Sequence, residues 1–274
     1  MPVDVDARIV ENRRLSSDYN VLVFHAPSIA AQAAPGQFVM IKTAGAGDTP
    51  LLRRPFSIFE IVGAREAPTG FSILNKRIGT GTSQLFEAVA GELRQVLGPL
   101  GQPFVPPASG EGWMVAGGVG LGPFVTLAAA LRDQGRPARL FYGARTAADL
   151  HCADLFPPLG TAVTVATEDG SQGDRGFITV PLERALQQAQ RSPAEAVTIY
   201  TCGPTPMMRA VADLAARYGR RAVVSLEQVM GCGMGGCYSC VVRVRQRDRS
   251  RFVRSCIDGP VFDASAIVWE ELAH

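Results

Sequence analysis

Four cysteines, Cys232, Cys237, Cys240 and Cys256, are spaced C-x4-C-x2-C with a fourth thiol after a longer gap. This is the plant-type [2Fe–2S] ligand spacing, in which a glycine-padded loop wraps three thiolates around a cluster. The run Gly231-Cys232-Gly233-Met234-Gly235-Gly236-Cys237-Tyr238-Ser239-Cys240 has the composition such a loop needs. Its glycines let the backbone turn tightly and bring N–H groups close to sulfur. A cluster passes single electrons, so the pattern points to redox chemistry. A zinc knuckle and a disulfide pair are the alternatives. Zinc usually takes two short hooks, and only Cys237 with Cys240 makes one.

A second group of residues suits a nucleotide. Gly117-Gly118-Val119-Gly120-Leu121-Gly122-Pro123 lies between an expected strand and an expected helix. There glycines would admit a pyrophosphate to unpaired N–H groups at a helix start. The run is not the G-x-G-x-x-G fingerprint, and an ordinary glycine-rich turn competes with it. Cys202-Gly203-Pro204 at the end of a later strand supports the nucleotide reading, because ligands of open α/β sheets sit beyond strand C-termini. Arg53-Arg54-Pro55-Phe56-Ser57 places an arginine fork beside a strand, where it could clamp a diphosphate. Leu74-Asn75-Lys76 and Gly79-Thr80-Gly81-Thr82-Ser83 follow, the latter opening a helix and offering another anion site. Taken by themselves, these residues read more readily as a basic surface strand followed by a capped helix.

These residues need three bodies to hold them. From 1 to 108, short β-rich stretches (Asn20–His25, Gln37–Thr43, Phe56–Val62) between Pro and Gly punctuation read as a small β-barrel. From 109 to 226 strands and helices alternate, predicting a doubly wound parallel α/β sheet. Its strands are Trp113–Ala116, Arg139–Tyr142, Ala162–Thr167, Val197–Cys202 and Ala222–Leu226. Its helices are Pro123–Gln134, Val180–Gln190 and Pro206–Tyr218, the last with Thr205 as N-cap. Residues 227–274 are too few for an apolar core of their own, so cluster ligation is expected to supply part of their stability. A chain of 274 residues can bury the first two cores, and a net charge of +2 is too small for a nucleic-acid binder. No apolar run approaches the ~18 residues of a membrane span. The opening Met1–Asp6 lacks the blocks of a signal peptide, so a cytoplasmic protein is expected.

The order of these motifs resembles the ferredoxin-reductase-like flavoproteins over nearly the whole chain. The C-terminal cysteine module narrows the likeness to the electron-transfer subunits of class 1B dihydroorotate dehydrogenases. Arg53–Ser57, Gly98–Gly101, Thr167–Ser171, Tyr200–Pro204 and Ser255–Pro260 carry the resemblance. Ala116-Gly117-Gly118 departs from a frequent triple glycine, and Gly122-Pro123 from a frequent proline pair. The resemblance implies that Arg54, Pro55, Phe56 and Ser57 hold the FAD diphosphate and flank the ring. Leu74, Asn75 and Lys76 would run along the flavin, and Gly81 with Thr82 would take phosphates. Gly117, Gly118 and Gly120, with Cys202, Gly203 and Pro204, would shape the nicotinamide site, and the four cysteines would ligate the cluster. NAD is the implied nucleotide; Arg145 reads either as a 2′-phosphate partner or as a surface residue.

The implied partner is an FMN-containing catalytic subunit that oxidises dihydroorotate, in a heterotetramer of two subunits of each kind. Electrons would pass from there through cluster and FAD to NAD+, in pyrimidine biosynthesis. No catalytic acid or base is expected in this chain, and His25, His151 and His274 are read as incidental. Cys152 is read as structural, and Cys202 as a thiol beside the nicotinamide that need not react. Arg243, Arg245, Arg247, Arg249, Arg251 and Arg254 alternate with valines, which predicts a hairpin with one charged face. That face is either solvated or a docking surface. Other functions stay open at this level. A ferredoxin:NADP reductase or sulfide dehydrogenase often carries aspartate at the first ligand, where this chain has Cys232. An oxygenase reductase and a zinc-stabilised nucleotide-binding regulatory module also remain.

Overall fold

Along Val3–Arg14 (β1) every second side chain turns inward, from Val3 through Val5 and Ala7 to Ile9, the period of a half-buried strand. A computed structural model describes all residues except 45–48, 191–195, 247–248 and 273–274. In it β1 joins Tyr19–His25 (β2), Phe38–Ile41 (β3), Arg54–Ser57 (β4), Ile61–Ala64 (β5), Ala67–Lys76 (β6) and Leu93–Leu100 (β7). These form one antiparallel sheet in the order β4-β3-β7-β1-β2-β6-β5. Two helices accompany it, Pro27–Ala30 (α1) and Thr80–Glu87 (α2). The expected single strand Phe56–Val62 is two strands. Ile58 and Phe59 are both buried, which breaks the alternation, and Phe59 and Glu60 bond Ser72 instead, curling the sheet into a barrel-like body. Phe24 stacks on Phe71 in its core, with ring centroids 5.4 Å apart.

The second sheet holds Glu111–Gly117 (β8), Ala138–Ala144 (β9), Thr161–Thr167 (β10), Asp174–Arg175 (β11), Val197–Cys202 (β12) and Arg221–Ser225 (β13), all parallel. Helices Phe124–Asp133 (α3), Thr179–Gln190 (α4) and Thr205–Arg217 (α5) cover its faces. Central strand β8 is buried on both sides. Trp113 and Val115 face the core shared with α4 and α5, whereas Met114 and Ala116 face the one shared with α3. Strand order is β11-β10-β9-β8-β12-β13, so the connection reverses direction between β8 and β12. That reversal opens the crevice in which such sheets bind ligands. At α5 the cap is Pro204 and Thr205 is already helical, one residue from the expected start.

The C-terminal residues have no core of their own. Val241–Gln246 (β14) and Arg249–Arg254 (β15) pair antiparallel, then come Ser255–Asp258 (α6) and Val261–Asp263 (β16). Strand β16 adds to the edge of the second sheet, antiparallel to β13. Val242, Val244, Val253, Ile267 and Trp269 join the α4/α5 core, while Met230, Cys240 and Cys256 pack on Phe38, Met40, Leu97 and Leu100 of the first sheet. The segment thus bolts the two larger bodies together. A further tie is Phe104, which stacks on Phe124 at 5.8 Å and meets Tyr200 edge-on at 5.3 Å. Burying such a ring is worth about 1.5–3 kcal/mol. Among the described residues no helix is long and apolar enough to cross a membrane.

Candidate functional site

The two neighbouring arginines part company. Arg53 donates twice to the Asp4 carboxylate, at 2.9 and 2.8 Å, and is spoken for. Arg54 instead lines a cleft of ≈ 490 Å³ with Thr49, Pro50 and the run Ile78–Thr82. Gly81 and Thr82 therefore share this cleft with Arg54. Thr82 Oγ1 accepts from the amides of Ile78 and Gly79 at 2.9 and 3.0 Å, which fixes the start of α2. First-turn amides of a helix have no carbonyl of their own to bond, so this mouth suits phosphate oxygens. Pro55 and Phe56 stand opposite Met40 and Val39 across the β3–β4 ladder. Leu74 and Asn75 line neither cleft. Leu74 is core, and Asn75, fully buried, donates to Asn20 Oδ1 at 2.8 Å and Thr82 O at 3.1 Å, bracing the same helix start.

A larger cleft, ≈ 640 Å³, runs between the two bodies. Gly117, Gly118 and Pro204 line it, with Lys76 and Tyr19 contributed by the first sheet. Gly120 lies against the strand end across the crevice: a Cβ there would come within 2.3 Å of Cys202 O and 2.6 Å of Gly203 Cα. The glycine run thus owes part of its composition to the β12–α5 turn it packs on. A Cβ on Gly122 would come within 3.2 Å of Ser57 Cβ, so the end of the arginine strand touches the glycine run. Cys202 is buried, and burial, followed by the field of Glu227, keeps its thiol well above the usual range against a hydrogen bond with Ser225. It is a neutral thiol, not a nucleophile in waiting.

Sequence reasoning missed Tyr19, Asp149, Glu168, Met207 and Glu227, all lining the larger cleft, and left Arg145, which also lines it, undecided. A signal was present. Arg145, Glu168 and Glu227 each sit one or two residues past the end of β9, β10 or β13, where the strand-end rule places ligand contacts. Glu227 is open to solvent on one side, yet its carboxyl is walled by protein, and that desolvation raises its pKa. Lys76 reaches Asp149 at 3.6 Å and lies 4.6 Å over the Tyr19 ring, linking the two bodies at the cleft mouth. Burial opposes its charge, but Tyr19 and Asp149 more than offset this and raise its pKa, so it stays an ammonium. His151 packs on Tyr19 at 4.5 Å with its pKa lowered by burial, His25 is exposed on β2, and His274 lies outside the described residues.

The cysteine loop closes over the end of the first sheet. All six cysteines are free thiols. The Cys256 amide donates to Cys240 Sγ at 3.5 Å, and these two residues are buried together against the first sheet, while Cys237 Sγ lies 3.1 Å from Ser239 Oγ. Cys232 Sγ accepts from the amides of Met234 and Gly236, both at 3.3 Å, a donor set that suits a thiolate. Ser239 and then Cys232 pull the exposed Cys237 thiol down to about 6, whereas burial and then Cys240 push Cys256 up to about 12. Gly233 has φ +72°, and a Cβ there would also drive into Met40 Cγ at 2.5 Å, so both backbone and packing call for glycine. Tyr238 also has positive φ (60°), a strain of about 1–2 kcal/mol for a residue with a Cβ.

The hairpin has the expected inward valines, but its arginines are largely occupied. Arg243 bonds Ser250 and Glu271, Arg245 bonds Ile267 O and pairs with Glu270, and Arg254 bonds Gly235 O. Arg249 and Arg251 are exposed, and Arg247 lies outside the described residues.

Residues 227–268 match the family described as the iron–sulfur cluster binding domain of dihydroorotate dehydrogenase B, and residues 114–213 match the oxidoreductase NAD-binding domain. The electron transfer subunit of dihydroorotate dehydrogenase B (NAD(+)) from Desulforamulus reducens is 34% identical over 97% of this chain and 98% of its own length. The subunit of the same name from Shouchella clausii is 36% identical over 95% and 96%. Among solved structures, the NADH-dependent reduced ferredoxin-NADP oxidoreductase of flavin-based electron bifurcation is similar at a TM-score of 0.83 and 30% identity, covering 98% of this chain and 91% of its own. The ferredoxin reductase of carbazole 1,9a-dioxygenase gives 0.66 and 26%, over 80% and 67%. With a ferredoxin-reductase-like architecture, an NAD-binding domain, an iron–sulfur domain and relatives matched end to end, the chain belongs to the family of dihydroorotate dehydrogenase B (NAD(+)) electron transfer subunits.

Proposed function

We propose that this chain carries electrons between NAD and an FMN-containing catalytic subunit that interconverts dihydroorotate and orotate, working in the cytoplasm as half of a heterotetramer. One observation carries this reading: strand β3 is a wall common to two sites. Its Met40 pairs with Pro55 of the arginine strand and packs on Gly233 of the cysteine loop. A flavin bound along β4 and a cluster bound in the loop would be close neighbours, as single-electron transfer needs. Domain limits of 1–108, 109–226 and 227–274 follow from the same division of labour.

When bound, FAD and a [2Fe–2S] cluster supply the conversion between two-electron exchange with nicotinamide and one-electron exchange with the partner. The chain's own residues bind and orient. Arg54, Gly81 and Thr82 hold the FAD phosphates, Pro55, Phe56 and Ser57 border its ring, and Leu74 and Asn75 back the wall on which Lys76 stands. Gly117, Gly118 and Gly120 with Cys202, Gly203 and Pro204 keep the nicotinamide crevice open and narrow. Cys232, Cys237, Cys240 and Cys256 hold the irons. Exposed Met234 and Tyr238 rim the loop on the side a partner must approach.

Arg54→Met should weaken FAD binding by roughly 10- to 100-fold, the worth of one charge-assisted hydrogen bond of about 1.5–3 kcal/mol. Arg53→Met should not, because Arg53 already serves Asp4. Flavin fluorescence released on serial dilution of the two variants reads the difference, and equal retention would refute the assignment of Arg54.

The decisive assay uses the complex purified anaerobically through a tag on this chain and supplied with dihydroorotate and NAD+. Orotate and NADH should appear in equal amounts. A second reading, a ferredoxin:NADP-type reductase, draws on the solved structure at TM-score 0.83. Flavin reduction by added NADH without any orotate would favour it.

A further inference from the structure

Arg254 reaches from the ribbon onto the cysteine loop. Arg243 and Arg245 are paired with Glu271 and Glu270, whereas the Arg254 guanidinium meets no carboxylate among the described residues. Its Nη1 donates to Gly235 O at 3.0 Å, and its Cζ lies 5.5 Å from the centroid of the Tyr238 ring. It is half-buried and tightly seated, for a Cβ on Gly235 would come within 3.1 Å of Nη1. The carbonyl it bonds belongs to the same peptide group as the Gly236 N–H. That N–H donates to Cys232 Sγ at 3.3 Å. A single amide plane therefore links an unneutralised cation on one side to a proposed cluster sulfur on the other.

We propose that Arg254 raises the reduction potential of the cluster by polarising the Gly235–Gly236 peptide, whose N–H bonds the Cys232 sulfur. This rests on the reading that the four cysteines hold a [2Fe–2S] cluster. Reduction adds one electron to a group already bearing thiolate charge. Hydrogen bonds to its sulfurs and positive charge nearby stabilise the reduced form, and both are recognised determinants of potential. Charge at one end of a hydrogen-bonded amide strengthens the bond at its other end. Arg254 is thus a positioning and tuning residue. It touches no sulfur itself, and acts through the peptide it grips.

The test is an EPR-monitored redox titration of the holoprotein, with dithionite as reductant, for wild type, Arg254→Lys, Arg254→Gln and Arg254→Met. Loss of the cation should shift the cluster's reduction equilibrium about tenfold toward the oxidised form, a midpoint lower by about 59 mV for one electron. Arg254→Lys should shift less than Arg254→Met, with Arg254→Gln between them. Deuterium coupling of the exchanged Gly236 amide in pulsed EPR should weaken in the same order. Equal midpoints in the variants that carry a full cluster would overturn the proposal. Loss of cluster from all three would also overturn it, making Arg254 an assembly residue. A wild type with no [2Fe–2S] signal would defeat the cluster reading itself, a result distinct from an intact signal whose midpoint does not move.

Discussion

Cys240→Ser should leave a yellow protein that still accepts a hydride from NADH and no longer passes electrons to its partner. Cys240 is 2% exposed and Cys256 1%, and the two are packed with Met230 against Phe38, Met40, Leu97 and Leu100. A serine oxygen there is a poor substitute for a soft thiolate, and the apolar surroundings oppose the ionisation it would need to bind iron. Iron content and the EPR signal should fall together. Coupled turnover should drop by more than about 100-fold, beyond the 10- to 100-fold ordinarily lost when only an outer partner of a metal ligand is removed. Flavin reduction should survive, because Arg54, the start of α2 and the glycine crevice share no side chain with the Cys240 pocket. Retained coupled turnover with a normal cluster signal would remove Cys240 from the ligand set.

The separation of these two losses depends on features of unequal visibility in the chain. The cysteine loop was legible because its spacing is local: the short backbone between Cys232 and Cys240 keeps three of the four thiols near one another, whereas Cys256 is brought to Cys240 by the β14–β15 ribbon. The fork at Arg53 and Arg54 was not, since the two residues have the same neighbours in sequence. What divides them is Asp4, 49 positions from Arg53, which comes within reach only when β1 takes its place in the sheet. The run Phe56–Val62 reads as one strand by composition. Only the curl of the sheet shows that Ile58 and Phe59 must both point inward. Likewise the C-terminal segment was rightly read as lacking a core. That it borrows two, one from each larger body, depends on packing that no local pattern encodes. Arg145, Glu168 and Glu227 fall between these cases, for the strand-end rule that flagged Cys202–Pro204 applies equally to the strands preceding them.

Gly120→Ala should raise the KM for NADH at least about tenfold, equivalent to 1.4 kcal/mol, while flavin content and the cluster signal stay unchanged. A methyl group at this position would stand 2.3 Å from Cys202 O and 2.5 Å from Cys202 C. Those are backbone atoms at the end of β12, whose residues are hydrogen-bonded in register to both β8 and β13. Neither side can rotate away as a flexible side chain would. The crevice must widen, and overpacking of this kind costs about 1–3 kcal/mol. Its widening should move Gly117 away from Gly203 and Pro204, the contact we propose sets the shape of the nicotinamide site. Gly118→Ala separates shape from strain. A Cβ at Gly118 meets nothing nearer than Tyr19 Oη at 4.0 Å, but φ is +55°. That variant should lose about 1–2 kcal/mol of local stability with the crevice width unaltered, and its KM should rise less than that of Gly120→Ala. If the two variants bind NADH alike, close backbone packing at the β8–β12 reversal does not define the site, and the glycine run serves only its own turn.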